Sequence, residues 1–82
     1  MRFKGRVFRK GLFWLTVAGE LREEAGGWVG VFWTYSGFWS GPGDRLELLL
    51  EDGRRARFEI LGGRLTPAGD AEVRFALTEP LA

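Results

Sequence analysis

The sequence predicts an all-β domain, a small antiparallel six-stranded barrel or two-sheet sandwich built mainly as a meander of hairpins. Three observations predict it. Apolar residues alternate with polar ones along most of the chain, loops of two residues followed by glycine recur between the alternating runs, and no segment reads as a helix of normal length. With 82 residues, 1–82 forms a single domain with one core.

The first strand, near 2–8, carries apolar residues or glycine at the odd positions of Phe3-Lys4-Gly5-Arg6-Val7 and cations at the even ones. Arg9-Lys10-Gly11 then suits a three-residue hairpin loop with glycine in the left-handed region. That loop sets Val7 opposite Phe13, Gly5 opposite Leu15 and Phe3 opposite Val17 on the inward face. On the outward face Arg6 meets Trp14 and Lys4 meets Thr16.

The second and third strands, near 12–22 and 28–35, flank a loop of the same form, Glu24-Ala25-Gly26. It pairs Leu21 with Val29, Val17 with Trp33 and Leu15 with Tyr35 inward, and Arg22 with Trp28 outward. From Ser36 to Asp44 the chain reads as a crossing loop that carries Phe38 and Trp39 and contains a type II turn at Gly41-Pro42-Gly43-Asp44.

Strands near 45–50 and 54–61 flank Glu51-Asp52-Gly53. A two-residue Asp-Gly turn would set Leu46, Leu48 and Leu50 across from charged residues, so parity selects the three-residue loop. Leu48 then pairs with Ala56, Leu46 with Phe58 and Glu47 with Arg57. The last strand, near 71–78, follows Pro67-Ala68-Gly69, which pairs Leu65 with Ala71 and Gly63 with Val73. The inward residues Phe58 and Ile60 are even and these pairs are odd, so one extra residue must be absorbed, and Gly62-Gly63 tolerates a bulge. Gly5, Gly19, Gly30 and Gly62-Gly63 supply bending points along the strands, which favours the barrel over the sandwich.

Composition excludes several functions. The chain has 12 basic and 11 acidic residues for a net charge of +1, far from the balance of a dedicated duplex-DNA binder. It has no Cys and no His, which removes disulfides, Cys/His zinc sites, thiol nucleophiles and imidazole acid–base chemistry. Ten Arg against two Lys, with no Asn or Gln, is a thermophile-like composition. The lack of Cys is compatible with the cytoplasm, which is the expected location.

Membrane insertion is not expected. Met1 to Lys10 followed by an apolar run to Gly19 is a poor signal peptide, because Phe3, Val7 and Phe8 interleave with the cations. Ala25 to Gly43 is uncharged for nineteen residues, but its glycines and Pro42 would ruin a helix.

The carboxylates Glu23-Glu24, Glu51-Asp52 and Asp70 with Glu72 could in principle form an acid–base pair or bind Mg²⁺ or Ca²⁺. They sit in or beside turns, where acidic residues keep loops solvated. Neither an enzyme nor a metal site is expected from them. Gly26-Gly27 and Gly62-Gly63 do not open a helix and lack a following Lys-Ser or Lys-Thr, so they do not read as phosphate loops, and no cofactor is expected.

The informative feature is the aromatic distribution. Ten of twelve aromatic residues fall between Phe3 and Trp39, and the second and third strands are apolar on both faces. If the odd face is core, the even face gathers Arg2, Lys4, Arg6, Phe8, Trp14, Arg22, Trp28 and Phe32, a basic and aromatic candidate binding surface. Trp and Arg dominate interface hot spots, so the first expectation is association with a protein, another copy of the chain above all. The alternative is single-stranded nucleic acid, with bases stacked on the rings and Arg on phosphate. A third account makes both faces structural, the second covered by the crossing loop, the C-terminal segment or another subunit.

Overall fold

The computed structural model describes residues 1–37 and 40–82; Phe38 and Trp39, expected in the crossing loop, lie outside the described residues. Among the described residues the chain forms β1 (Arg2–Arg9), β2 (Leu12–Glu24), β3 (Gly27–Thr34), β4 (Arg45–Leu50), β5 (Arg55–Leu65) and β6 (Ala71–Leu77), with no helix. All neighbours are antiparallel, and the order β1-β2-β3-β6-β5-β4 closes into a barrel. Two three-stranded meanders, β1-β2-β3 and β4-β5-β6, are thus joined by the 35–44 connection. The uncharged 25–43 stretch is β3 and part of that connection, and no helix among the described residues is long and apolar enough to cross a membrane.

Alternation fixes the interior. Phe3, Val7, Leu15, Val17, Leu21, Leu46, Leu48, Leu50, Phe58, Ile60, Val73 and Phe75 are buried at every second position of their strands, and no charged residue is buried among those described. At the centre, rings from both meanders meet at tilted or edge-on angles. Phe58 and Phe75 are 5.0 Å apart, Phe32 and Phe75 5.6 Å, and Phe32 and Phe58 6.1 Å. Such pairs add about 0.5–1.5 kcal/mol each beyond their buried area. Gly19 lets the β3 backbone lie close against β2 beside this cluster, because a β-carbon there would collide with the Val31 carbonyl and the Phe32 backbone.

The second meander follows the expected register. Leu48 pairs with Ala56, Leu46 with Phe58 and Glu47 with Arg57, and Gly53 sits at φ 92°. Leu65 pairs with Ala71 and Gly63 with Val73, with the extra residue absorbed at Leu61, one position before the expected Gly62-Gly63. The type II turn is present, with Gly43 at φ 90° and the Asp44 amide donating to the Gly41 carbonyl at 3.1 Å.

The first meander corrects both of its expected loops. Arg9 pairs with Leu12 and Glu24 with Gly27, leaving two-residue turns, Lys10-Gly11 and Ala25-Gly26. All four turn residues have positive φ, 51° and 78° in the first and 31° and 86° in the second, as in the type I′ turns whose twist matches that of the flanking strands. In β1–β2 a bulge at Trp14 restores parity, so Val7 lies opposite Leu15, Gly5 opposite Val17 and Phe3 opposite Gly19. Arg6 faces Thr16 and Lys4 faces Ala18 instead of Trp14 and Thr16. From Leu15 to Gly19 the expected faces survive although the partners slip by two, but Phe13, expected inward opposite Val7, pairs with Phe8 beyond the bulge and is exposed.

No bulge compensates in β2–β3. Leu21 lies opposite Gly30, Gly19 opposite Phe32, Ala18 opposite Trp33, Arg22 opposite Val29 and Glu23 opposite Trp28. The one-residue slip inverts β3: Phe32 enters the core, while Trp33 and Tyr35, expected inside, are exposed.

Candidate binding surface

The barrel has two ends. The upper end carries the turn at 10–11, the 35–44 connection and the turn at 66–70; the lower end carries Met1, the turns at 25–26 and 51–53, and residues 78–82. The expected basic and aromatic surface does not stay together on this frame. Arg2, Lys4 and Arg6 line the outer wall of β1, all exposed. Arg22 is exposed near the lower end, where it pairs with Glu24 at 3.1 Å. Phe8 is half-buried, its ring edge-on to Phe13 at 5.9 Å.

The other three rings leave the proposed surface. Phe32 is fully buried because the β2–β3 register turns even positions of β3 inward. Trp28 is half-buried against the core at the lower end. Trp14, released from pairing by the bulge, packs half-buried against the core toward the upper end, with the Arg9 guanidinium 4.5 Å above its ring. Arg9 also donates to Ser40 at 3.2 Å and lies 3.5 Å from Asp44. The Ser40 hydroxyl donates to Asp44 at 2.6 Å and the Gly41 amide at 3.0 Å, so Asp44 latches the connection to β1. The Ser40 hydroxyl, the Gly41 amide and the Arg9 charge hold the Asp44 carboxyl below its ordinary value.

Two of the shallow clefts on the outer wall take in residues of the expected surface. The larger, about 710 Å³, brings Arg2, Lys4 and Arg54 together with Trp33, but Glu20, Glu51 and Asp52 line it as well. Three cations are thus balanced by three carboxylates. The second, about 570 Å³, has Val29 and Val31 in its lining with Arg22, Glu20 and Arg74 around them. Two of the candidate carboxylates are paired with arginines: Asp52 with Arg54 at 2.8 Å within its turn, and Glu72 of β6 with Arg64 of β5 at 2.8 Å across the ladder. No group of three among the described Asp and Glu residues is placed to hold a metal ion.

Among the described residues the most exposed large apolar side chains lie elsewhere. Leu12 is 74% exposed, Leu65 66%, Phe13 58% and Tyr35 55%, and all four flank connections of the upper end. Sequence reasoning missed them by pairing Phe13, Tyr35 and Leu65 inward. A signal was available: in an antiparallel meander alternate loops share one end, and apolar residues flank all three connections that fall there.

Closure has a further consequence. With every strand placed between two neighbours the sheet has no edge strand, which disfavours β-strand addition and directs attention to exposed side chains. Comparison with protein-family models, curated proteins and solved structures finds no match to this chain. Fold and surface define a small closed β-barrel with an apolar end, and the functional reading rests on that geometry.

Proposed function

We propose that this domain is a non-enzymatic association module that binds protein, first of all further copies of itself, through the upper end of the barrel. One observation carries the reading: Leu12, Phe13, Tyr35 and Leu65, which flank the connections of that end, are all exposed. Covering a Leu or Phe side chain yields about 1.5–3 kcal/mol. Burying several gives a useful driving force, which the cost of association reduces to a weak or moderate affinity. The experiment is sedimentation across the micromolar range: the mass should rise with concentration, and Phe13→Glu should return it to the monomer, since a carboxylate in an apolar contact is strongly disfavoured. A monomer at every concentration refutes self-association.

A second reading, single-stranded nucleic acid, is supported by the cleft that Arg2, Lys4 and Trp33 share. It ranks lower because Glu20, Glu51 and Asp52 oppose phosphate in the same cleft. It requires oligonucleotide affinity that falls steeply with salt and is lost in Lys4→Ala/Trp33→Ala.

A further inference from the structure

We propose that the upper end of one copy docks into the lower end of the next, so that the domain associates head to tail; the inference rests on the self-association reading above and names its partner surface. The two ends are chemically unlike. At the upper tip Lys10 and Leu12, both exposed, flank Gly11, which places a cation beside an apolar point. At the lower end a cleft of about 410 Å³ opens between Trp28 and Leu77, with Glu23 and Glu79 also lining it.

Trp28 and Leu77 are packed against the core, so the apolar lining is held in place. Gly26 and Gly27 form another part of the wall, and a β-carbon at Gly26 would meet nothing within 4 Å, so this side of the cleft is open. Leu12 matches the apolar lining, and Lys10 matches the carboxylates.

Charge decides the direction of assembly. A two-fold contact between tips brings two Lys10 ammonium groups together, and one between clefts brings Glu23 and Glu79 against their own copies. Tip into cleft joins opposite charges. A contact between two different patches is heterologous, and unless it closes into a ring it propagates. The smallest specific interfaces bury about 1,200 Å² in total, which takes about 600 Å² from each copy. That is roughly one-ninth of the 5376 Å² surface of this domain.

The test uses two variants with exposed substitutions, each checked for its fold by circular dichroism. Leu12→Glu destroys the tip and leaves the cleft; Glu23→Lys/Thr78→Arg reverses charge at the cleft and leaves the tip. The expected result is that the wild-type mass climbs past the dimer, each variant alone sediments as a monomer, and an equimolar mixture forms a heterodimer that grows no further. A wild-type plateau at the dimer, or a mixture that stays monomeric while the wild type associates, overturns the head-to-tail contact and leaves self-association standing. A wild-type monomer at all concentrations overturns both.

Discussion

Ala25→Asn isolates the interaction that sets the register of β3. In the two-residue turn Ala25 has φ 31°, a conformation in which its β-carbon crowds the following carbonyl, at a cost of about 1–2 kcal/mol for an ordinary L-residue. Asn is several-fold enriched there because its side chain bonds the local backbone. The substitution should therefore stabilise the fold by about 0.5–1 kcal/mol, a fraction of that strain. For a domain of this size each kcal/mol shifts the melting temperature by about 4–8 °C, so the rise should be about 2–8 °C. Ala25→Val provides the opposite arm, since a β-branched residue at positive φ is a genuine outlier and should melt lower. Thermal unfolding followed by circular dichroism reads both. In a three-residue loop Ala25 would occupy an ordinary negative-φ position and Asn would gain nothing there. Unchanged melting in Ala25→Asn, or no loss in Ala25→Val, would refute the two-residue turn.

Phe32→Ala should cost about 3–5 kcal/mol in denaturant unfolding, because the side chain is fully buried among Phe58 and Phe75. Trp33→Ala, on the outer wall, should cost about 1 kcal/mol or less, and the reverse ranking would restore the register first expected from sequence. Acid should spare the Asp44 latch through the ordinary carboxylate range: a carboxyl held below its usual value contributes stability above that value and loses it as pH falls through the lowered one. The Gly41 and Asp44 amide resonances should therefore shift together below the ordinary carboxylate range, and a transition at or above the usual value would contradict the latch.

The contrast between the two meanders explains what the sequence makes legible. Where β4 and β5 pair, most inward apolar residues are flanked by charges, as in Leu46-Glu47-Leu48 and Arg57-Phe58-Glu59, so a one-residue slip puts leucines opposite charges and parity chooses the loop. In β3, Val29, Val31 and Trp33 alternate with Trp28, Gly30 and Phe32, so both faces are apolar and parity has nothing to choose between. Glycine offered no help, since Gly11 and Gly26 have positive φ in either loop type. Lys10 and Ala25 decide, and neither has a composition that announces a left-handed conformation. A further determinant is long-range: the β3 backbone at Val31 and Phe32 comes close to β2 where Gly19 omits a β-carbon, a match visible once the strands are paired. The candidate surface inherited this ambiguity, so its β1 cations remained outside while Trp28 and Phe32 did not.

The central ring cluster is divided evenly between the two halves of the chain, with Phe3 and Phe32 from the first meander and Phe58 and Phe75 from the second. Each meander alone is an open three-stranded sheet with two unpaired edges, and the edges of one are completed by the other through β1–β4 and β3–β6. Half a barrel therefore lacks both its share of backbone pairing and the far wall of its core. Unfolding is expected to be all-or-none, with amide protons in β2 and β5 exchanging through the same global opening, because no part of the sheet has an interior of its own to fall back on.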